Sequence, residues 1–195
     1  MEFISSLWLP ILAAAAAVWI VSAVLWMALG HHQKDTIALP DEDATLDKIR
    51  GIPPGNYSFP HPGDRKNCHS PEFKAKWEKG PMGSLNIWGK FSMGKNMALT
   101  FMVYLIVSVL IGYVAHLAIP PGADRLKVFQ IIGTIGVLSY TFAFIPDHIW
   151  FQAGARKTAM CVIDGIVYGL VTGGIFAAFW KGATVAVPAL PAIGS

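Results

Sequence analysis

The run Phe142-Ala143-Phe144-Ile145-Pro146-Asp147-His148-Ile149-Trp150 closes one apolar segment, and Gly154-Ala155-Arg156-Lys157 turns the chain into a second. The second segment carries Cys161-Val162-Ile163-Asp164-Gly165 and stays apolar to Trp180. An antiparallel hairpin of two helices fits this pattern, and its length sets the environment. A helix needs about 20 apolar residues to cross about 30 Å of hydrocarbon. A charged side chain near the centre of a bilayer costs about 2.5–3.5 kcal/mol on insertion scales. Asp164, inside such a segment, is therefore the sharpest functional signal in the chain.

Residues 7–29, 97–119, 127–145 and 158–180 are four apolar runs of spanning length. Three of them hold no acidic or basic residue in their interior. The whole chain is 54% hydrophobic and only 14% charged, where a soluble domain has about a quarter of its residues charged. The fold expected is an all-α membrane protein with four transmembrane helices. Residues 1–30 form the first helix, residues 31–95 a cytoplasmic loop with two short helices, and residues 96–195 a three-helix block with an outer tail. The leader Met1-Glu2-Phe3-Ile4-Ser5-Ser6 has no Lys or Arg, so the first run reads as a retained anchor and not a cleaved signal.

Ten Lys and Arg residues lie between the first and second runs, and Arg156 and Lys157 add two more on the same side. The other side holds Arg125, Lys127 and Lys181. The positive-inside bias puts the long loop in the cytoplasm and both termini in the periplasm. The net charge of +3 reads as topology information, with no nucleic-acid partner implied. Cys68 in the loop and Cys161 in the fourth helix are not a disulfide pair on this topology.

The loop carries its own punctuation. Leu39-Pro40-Asp41-Glu42-Asp43 starts a short helix running to about Arg50, its acidic start and basic end matched to the helix dipole. Ile52-Pro53-Pro54-Gly55-Asn56-Tyr57 is a rigid turn. Ser70-Pro71-Glu72 caps a second helix that stops at Gly80-Pro81. Leu85, Ile87, Trp88, Phe91 and Met93 are expected to lie along the membrane surface. Beyond the loop, Pro120-Pro121-Gly122-Ala123-Asp124 and residues 149–156 are short connections, so helices two to four are antiparallel neighbours. Trp8 and Trp26 stand near the two ends of helix one as interfacial anchors, and its Ala-rich residues 13–17 admit a close neighbour.

Gly165, Gly169 and Gly173 form a small-residue stripe on helix four, and Gly133 and Gly136, with Ser139 and Ala143, offer a matching edge on helix three. Close packing within the chain is the favoured reading of these glycines; a homodimer seam is the alternative. Polar residues also recur at helical spacing: Thr100, Tyr104, Ser108, Gly112 and His116 on helix two, Gln130, Thr134, Thr141 and His148 on helix three, and Asp164, Tyr168 and Thr172 on helix four. Lipid offers these faces no hydrogen-bond partners, so they are expected to turn toward one another. The plain reading is interhelical hydrogen bonding at about 0.6 kcal/mol each. The sharper one is a polar cavity for a proton, ion, quinone or lipid headgroup, with Asp164, His148, Asp147, His116, Tyr168 and Tyr104 along it.

Asp164 falls about two turns inside the cytoplasmic end of helix four. Lys157 shares its face and His148 its level, so an ion pair or a proton-shared carboxyl is expected. A structural latch is preferred to a proton relay. His31, His32 and His148 all fall near the cytoplasmic surface, where two helices would supply imidazoles to a bis-His haem or a metal. This is a minor reading, and so is a soft-metal set of His61, Cys68 and His69, whose spacing matches no known site. No cofactor is otherwise implied. No nucleophile elbow, phosphate loop, zinc-protease motif or nucleotide fingerprint occurs, and an enzyme is the weaker class.

Several short stretches carry a family likeness: Leu39-Pro40-Asp41-Glu42-Asp43, then Pro53-Pro54-Gly55-Asn56-Tyr57-Ser58-Phe59-Pro60, Gly80-Pro81, and Asp164-Gly165-Ile166-Val167-Tyr168 with Trp180 beyond it. In these the chain resembles a group of small, uncharacterised bacterial membrane proteins. The resemblance implies a four-helix protein of the bacterial inner membrane and carries no activity. Many small-residue faces and no catalytic motif lead to the expectation of an accessory or structural subunit of a larger energy-converting complex, respiratory or photosynthetic. Its partners would be the bilayer and other membrane subunits. The alternative is a small oligomeric transporter or channel-like protein with Asp164 as its coupling carboxylate, and a third reading is a haem or metal redox protein.

Overall fold

The computed structural model describes residues 2–180; the expected outer tail and Lys181 lie outside the described residues. Among the described residues, four helices are long and apolar enough to cross a membrane: Phe3–Ala28, Met93–Ala118, Arg125–Phe151 and Ala155–Phe179. The chain forms two units, Thr36–Met93 and the helices on either side of it.

The helical unit begins with α1 (Glu2–Ala23), which widens into a π-helical turn at Val24–Ala28. Leu7, Ile11, Ala14, Ala15, Val18 and Ser22 make its buried stripe. The small side chains in that stripe let the α1 backbone approach its neighbours, as packing in lipid requires. In the Thr36–Met93 unit, α2 (Glu42–Ile49), β1 (Gly55–Phe59), α3 (Pro71–Lys79) and β2 (Gly83–Ile87) follow in order. The Ser70 hydroxyl caps α3 by accepting from Phe73 N at 3.1 Å, with Pro71 in the first turn where no N–H is needed.

β1 and β2 pair antiparallel from Gly55 opposite Ile87 to Phe59 opposite Gly83. Within the segment expected along the membrane surface, Leu85 and Ile87 share one face of β2, and Leu85 stands opposite Tyr57. A period of two is present in the sequence there, over too few residues to mark a strand. Gly83 has no side chain because the Phe59 ring lies 3.0 Å from where a Cβ would be.

The remaining helices are α4 (Met93–Ala118), α5 (Arg125–Thr141), α6 (Phe144–Phe151) and α7 (Ala155–Phe179). Trp19 Nε1 donates to Met97 O at 3.0 Å and ties α1 to the first turn of α4. Gly112 of α4 receives the Ile11 side chain of α1, whose Cδ1 lies 3.0 Å from a Cβ built there. The third span breaks between Thr141 and Phe144 because Pro146 has no N–H to give Phe142 O and its ring crowds that carbonyl. Ile145 N reaches Phe142 O instead, at 3.4 Å.

The tightest seam runs between α5 and α7. A Cβ at Gly136 would fall 2.8 Å from Gly169 Cα, one at Gly173 2.8 Å from Gly133 Cα, and one at Gly165 2.6 Å from Tyr140 O. The two backbones therefore touch along three turns. Dispersion between atoms this closely packed stands in for the hydrophobic drive that lipid does not supply.

Candidate functional site

The π-helical turn ends where Leu29 N donates to Val24 O at 3.1 Å. Gly30, at φ +61°, then bends the chain in a conformation that side-chain-bearing residues rarely adopt. A tight turn follows, with Gln33 N on Gly30 O at 3.1 Å and Asp35 N on His32 O at 3.0 Å. This turn carries His31, His32 and Asp35 over the first turns of α7. On α7, Gly165 faces α5, and Asp164, one residue earlier and about 100° round the helix, faces the turn.

Asp164 is 2% exposed, and its carboxylate is gripped on both oxygens. His31 Nε2 lies 2.9 Å from Oδ1 and His32 Nε2 lies 2.8 Å from Oδ2. The other nitrogen of His32, Nδ1, is 2.5 Å from Asp35 Oδ2. Arg156 completes the shell: Nη2 donates to His31 O at 2.8 Å, and Nε stands 3.4 Å from Asp35 Oδ1. Trp26 stacks on the His32 ring, centroids 3.7 Å apart and planes 12° from parallel. A buried, shielded ring flanked by two carboxylates is the result.

Hydrogen counting defines the electrostatics. Each of the three nitrogen–carboxylate contacts needs a hydrogen between its atoms, and a neutral imidazole has one N–H. His31 satisfies its contact with Nε2–H, leaving Nδ1 as a buried nitrogen with no hydrogen-bond partner. His32 faces a carboxylate at each nitrogen, an arrangement that the doubly protonated, positively charged ring satisfies. Burial pulls its pKa down, but the hydrogen bonds and negative charges of Asp164 and Asp35 outweigh this and raise it above the ordinary value of 6.5. As a metal-free set, the site holds His32 as an imidazolium between two carboxylates.

The candidates singled out from the sequence are distributed as follows. Asp164 is at the centre, but its partners are His31 and His32, not Lys157 or His148. His148 Nδ1 instead hydrogen-bonds the Ala153 carbonyl, and Asp147 is exposed. Of the imidazole set His31, His32 and His148, two come together and the place of the third is taken by Asp164. His116 is exposed and lies beside the Phe3 ring, centroids 6.1 Å apart. Tyr168, one turn beyond Asp164, meets Tyr104 and Tyr140 edge-on in a triangle with centroids 5.8–6.0 Å apart. The hydroxyls of Tyr140 and Tyr168 are buried there without a well-formed hydrogen bond.

The expected polar face of helix three turns out differently. Gln130 and Thr134 are exposed, and Thr134 satisfies its own hydroxyl on Gln130 O at 2.7 Å. The glycine edge of α5 occupies the interior because only glycines permit the approach to α7. Asp35 and Arg156 were not singled out by sequence reasoning. The only trace of Asp35 was a carboxylate three residues after His32 at the end of an apolar helix. Among the described residues, His61, Cys68 and His69 do not converge, and His31, His32 and Asp164 are the set whose ligand atoms do.

Fold and site together define a four-span helical membrane protein with a carboxylate–imidazole centre at one end of its bundle. Comparison with protein-family models, with curated proteins and with solved structures finds no match for the chain.

Proposed function

We propose that this chain is a multi-pass protein of the bacterial inner membrane that binds a cation at Asp164, with His31 and His32, at the cytoplasmic end of its helices. One observation carries the reading: a carboxylate 2% exposed inside a spanning helix, held by two imidazoles and backed by a second carboxylate. A structural latch needs one pair of groups. Here two carboxylates converge on one ring, whose positive charge, with Arg156, balances them in the ion-free form; a bound cation would take over the part played by the proton on His32 Nε2, in a place where uncompensated charge is costly. The positive-inside count supports the sidedness. The α5–α7 seam is closed backbone to backbone, so transport coupled to Asp164 would not run between these two helices.

Ligand linkage tests this. A cation at about a hundred times its Kd stabilises the folded form by about 2.7 kcal/mol. Unfolding of the detergent-purified protein is expected to shift by that amount with at least one of Na⁺, K⁺, Mg²⁺, Mn²⁺ and Zn²⁺. The shift should vanish in Asp164→Asn. A wild-type protein indifferent to all five ions would sink the proposal.

A second reading, the accessory subunit of an energy-converting membrane complex, is supported by the outer face of α4. Leu99, Met102, Val103, Ile106, Leu110, Tyr113 and Leu117 are all exposed there, a continuous apolar strip suited to lipid or a partner helix. Under this reading, a mild-detergent pull-down from native membranes recovers a fixed set of membrane subunits in stoichiometric amount. Recovery of the chain alone argues against it.

A further inference from the structure

We propose that His31 Nε2, His32 Nε2 and the Asp164 carboxylate are the three protein ligands of a divalent transition-metal ion. This rests on the cation reading above and adds which cation and how it is held. The three groups offer one ligand atom each, all within 4.8 Å of one another. The Asp164 oxygens already stand 2.8 and 2.9 Å from the two nitrogens. Metal–ligand bonds to His and Asp run about 2.0–2.2 Å, which sets tetrahedral neighbours about 3.4 Å apart, so an ion enters by opening these contacts by about half an ångström. In doing so it releases the Nε2 proton of His32, whose Nδ1–H stays on Asp35, and the single N–H of His31 moves from Nε2 to the buried Nδ1.

The surroundings carry the argument further than the ligand count. Metal-bound histidines ordinarily give their second ring N–H to a carboxylate, which fixes the tautomer and aims the lone pair at the ion. Asp35 stands in that position behind His32, at 2.5 Å from Nδ1, and Arg156 steadies both Asp35 and the His31 backbone. Stacking on Trp26 leaves the His32 ring no freedom to swing away. Two imidazoles and one carboxylate suit Zn²⁺, Fe²⁺, Co²⁺ or Ni²⁺, whereas Mg²⁺ and Ca²⁺ take all-oxygen sets. Three protein ligands leave a coordination position open for water or an exchanging ligand, as in working and not purely structural sites. The ligands come from the loop after α1 and from α7, so the ion would also join the two ends of the chain.

The test uses the full-length protein in mild detergent, stripped with a chelator and titrated with Co²⁺, whose visible absorption reports its ligands. One equivalent is expected to bind and to be displaced by Zn²⁺. Binding should be lost in His31→Gln and in His32→Gln, weakened about 10–100-fold in Asp35→Asn, and unchanged in His116→Ala. Carbethoxylation of the wild-type protein, mapped by mass spectrometry, removes dependence on variant folding: Zn²⁺ should protect His31 and His32 but not His116. Absence of Co²⁺ binding by the wild type, binding that survives His31→Gln/His32→Gln together, or protection only at other histidines would overturn the proposal. Stabilisation by Na⁺, K⁺ or Mg²⁺ without Co²⁺ binding would overturn it while leaving the broader cation reading standing; no response to any cation would end both.

Discussion

Gly169→Ala is expected to destabilise the helical unit by about 3 kcal/mol, at the upper end of overpacking effects. The added methyl would sit 2.3 Å from Val137 N and 2.8 Å from Gly136 C. Backbone atoms of a hydrogen-bonded helix cannot rotate aside as a side-chain tip can, so α5 and α7 must separate. Separation forfeits the close contacts at Gly133, Gly136, Gly165 and Gly173 together, because both helices are stiff. Gly174→Ala, five positions along the same helix, meets nothing within 4 Å. It should be neutral or stabilising by up to about 1 kcal/mol through helix propensity. Unfolding of the two variants by SDS titration in detergent, followed by helicity, measures the difference. Equal stabilities would mean that the seam is not the close contact described.

His32→Ala should cost about 3–5 kcal/mol in metal-free protein, the range for removing one member of a buried charged set. It strips the positive charge from between Asp164 and Asp35, whose side chains are 3% and 6% exposed. The cavity left by the ring adds to the loss, since Trp26 loses its stacking partner. Asp164→Asn should be milder, because the amide keeps the shape and can still accept from one histidine. The diagnostic is non-additivity: His32→Ala combined with Asp35→Asn should lose less than the two single changes summed. Strict additivity in the double-mutant cycle would show that the two side chains are not coupled as their 2.5 Å contact implies.

The local features were legible because their causes are local. The four spans follow from hydropathy and length, and the start of α3 from Ser70 and Pro71. The glycine stripe at Gly165, Gly169 and Gly173 is equally plain, since its spacing is a property of one helix. The hairpin of β1 and β2 was not, because Leu85 finds Tyr57 only across a long connection and neither strand exceeds five residues.

The site divides along the same line. Asp164 declared itself as a carboxylate in an apolar run, a conflict visible from sequence because the cost of a charge in hydrocarbon does not depend on the fold. Its partners could not be found that way. His31 and His32 lie 133 and 132 residues from it in the chain, and nothing in their spacing distinguishes a ligand from an interfacial histidine. Four apolar helices, one with a carboxylate needing compensation, are written in the composition of the chain. Which groups compensate it depends on packing: glycine contacts set how α7 is rotated against α5, that rotation turns Asp164 toward the end of α1, and the bend at Gly30 brings the histidines there.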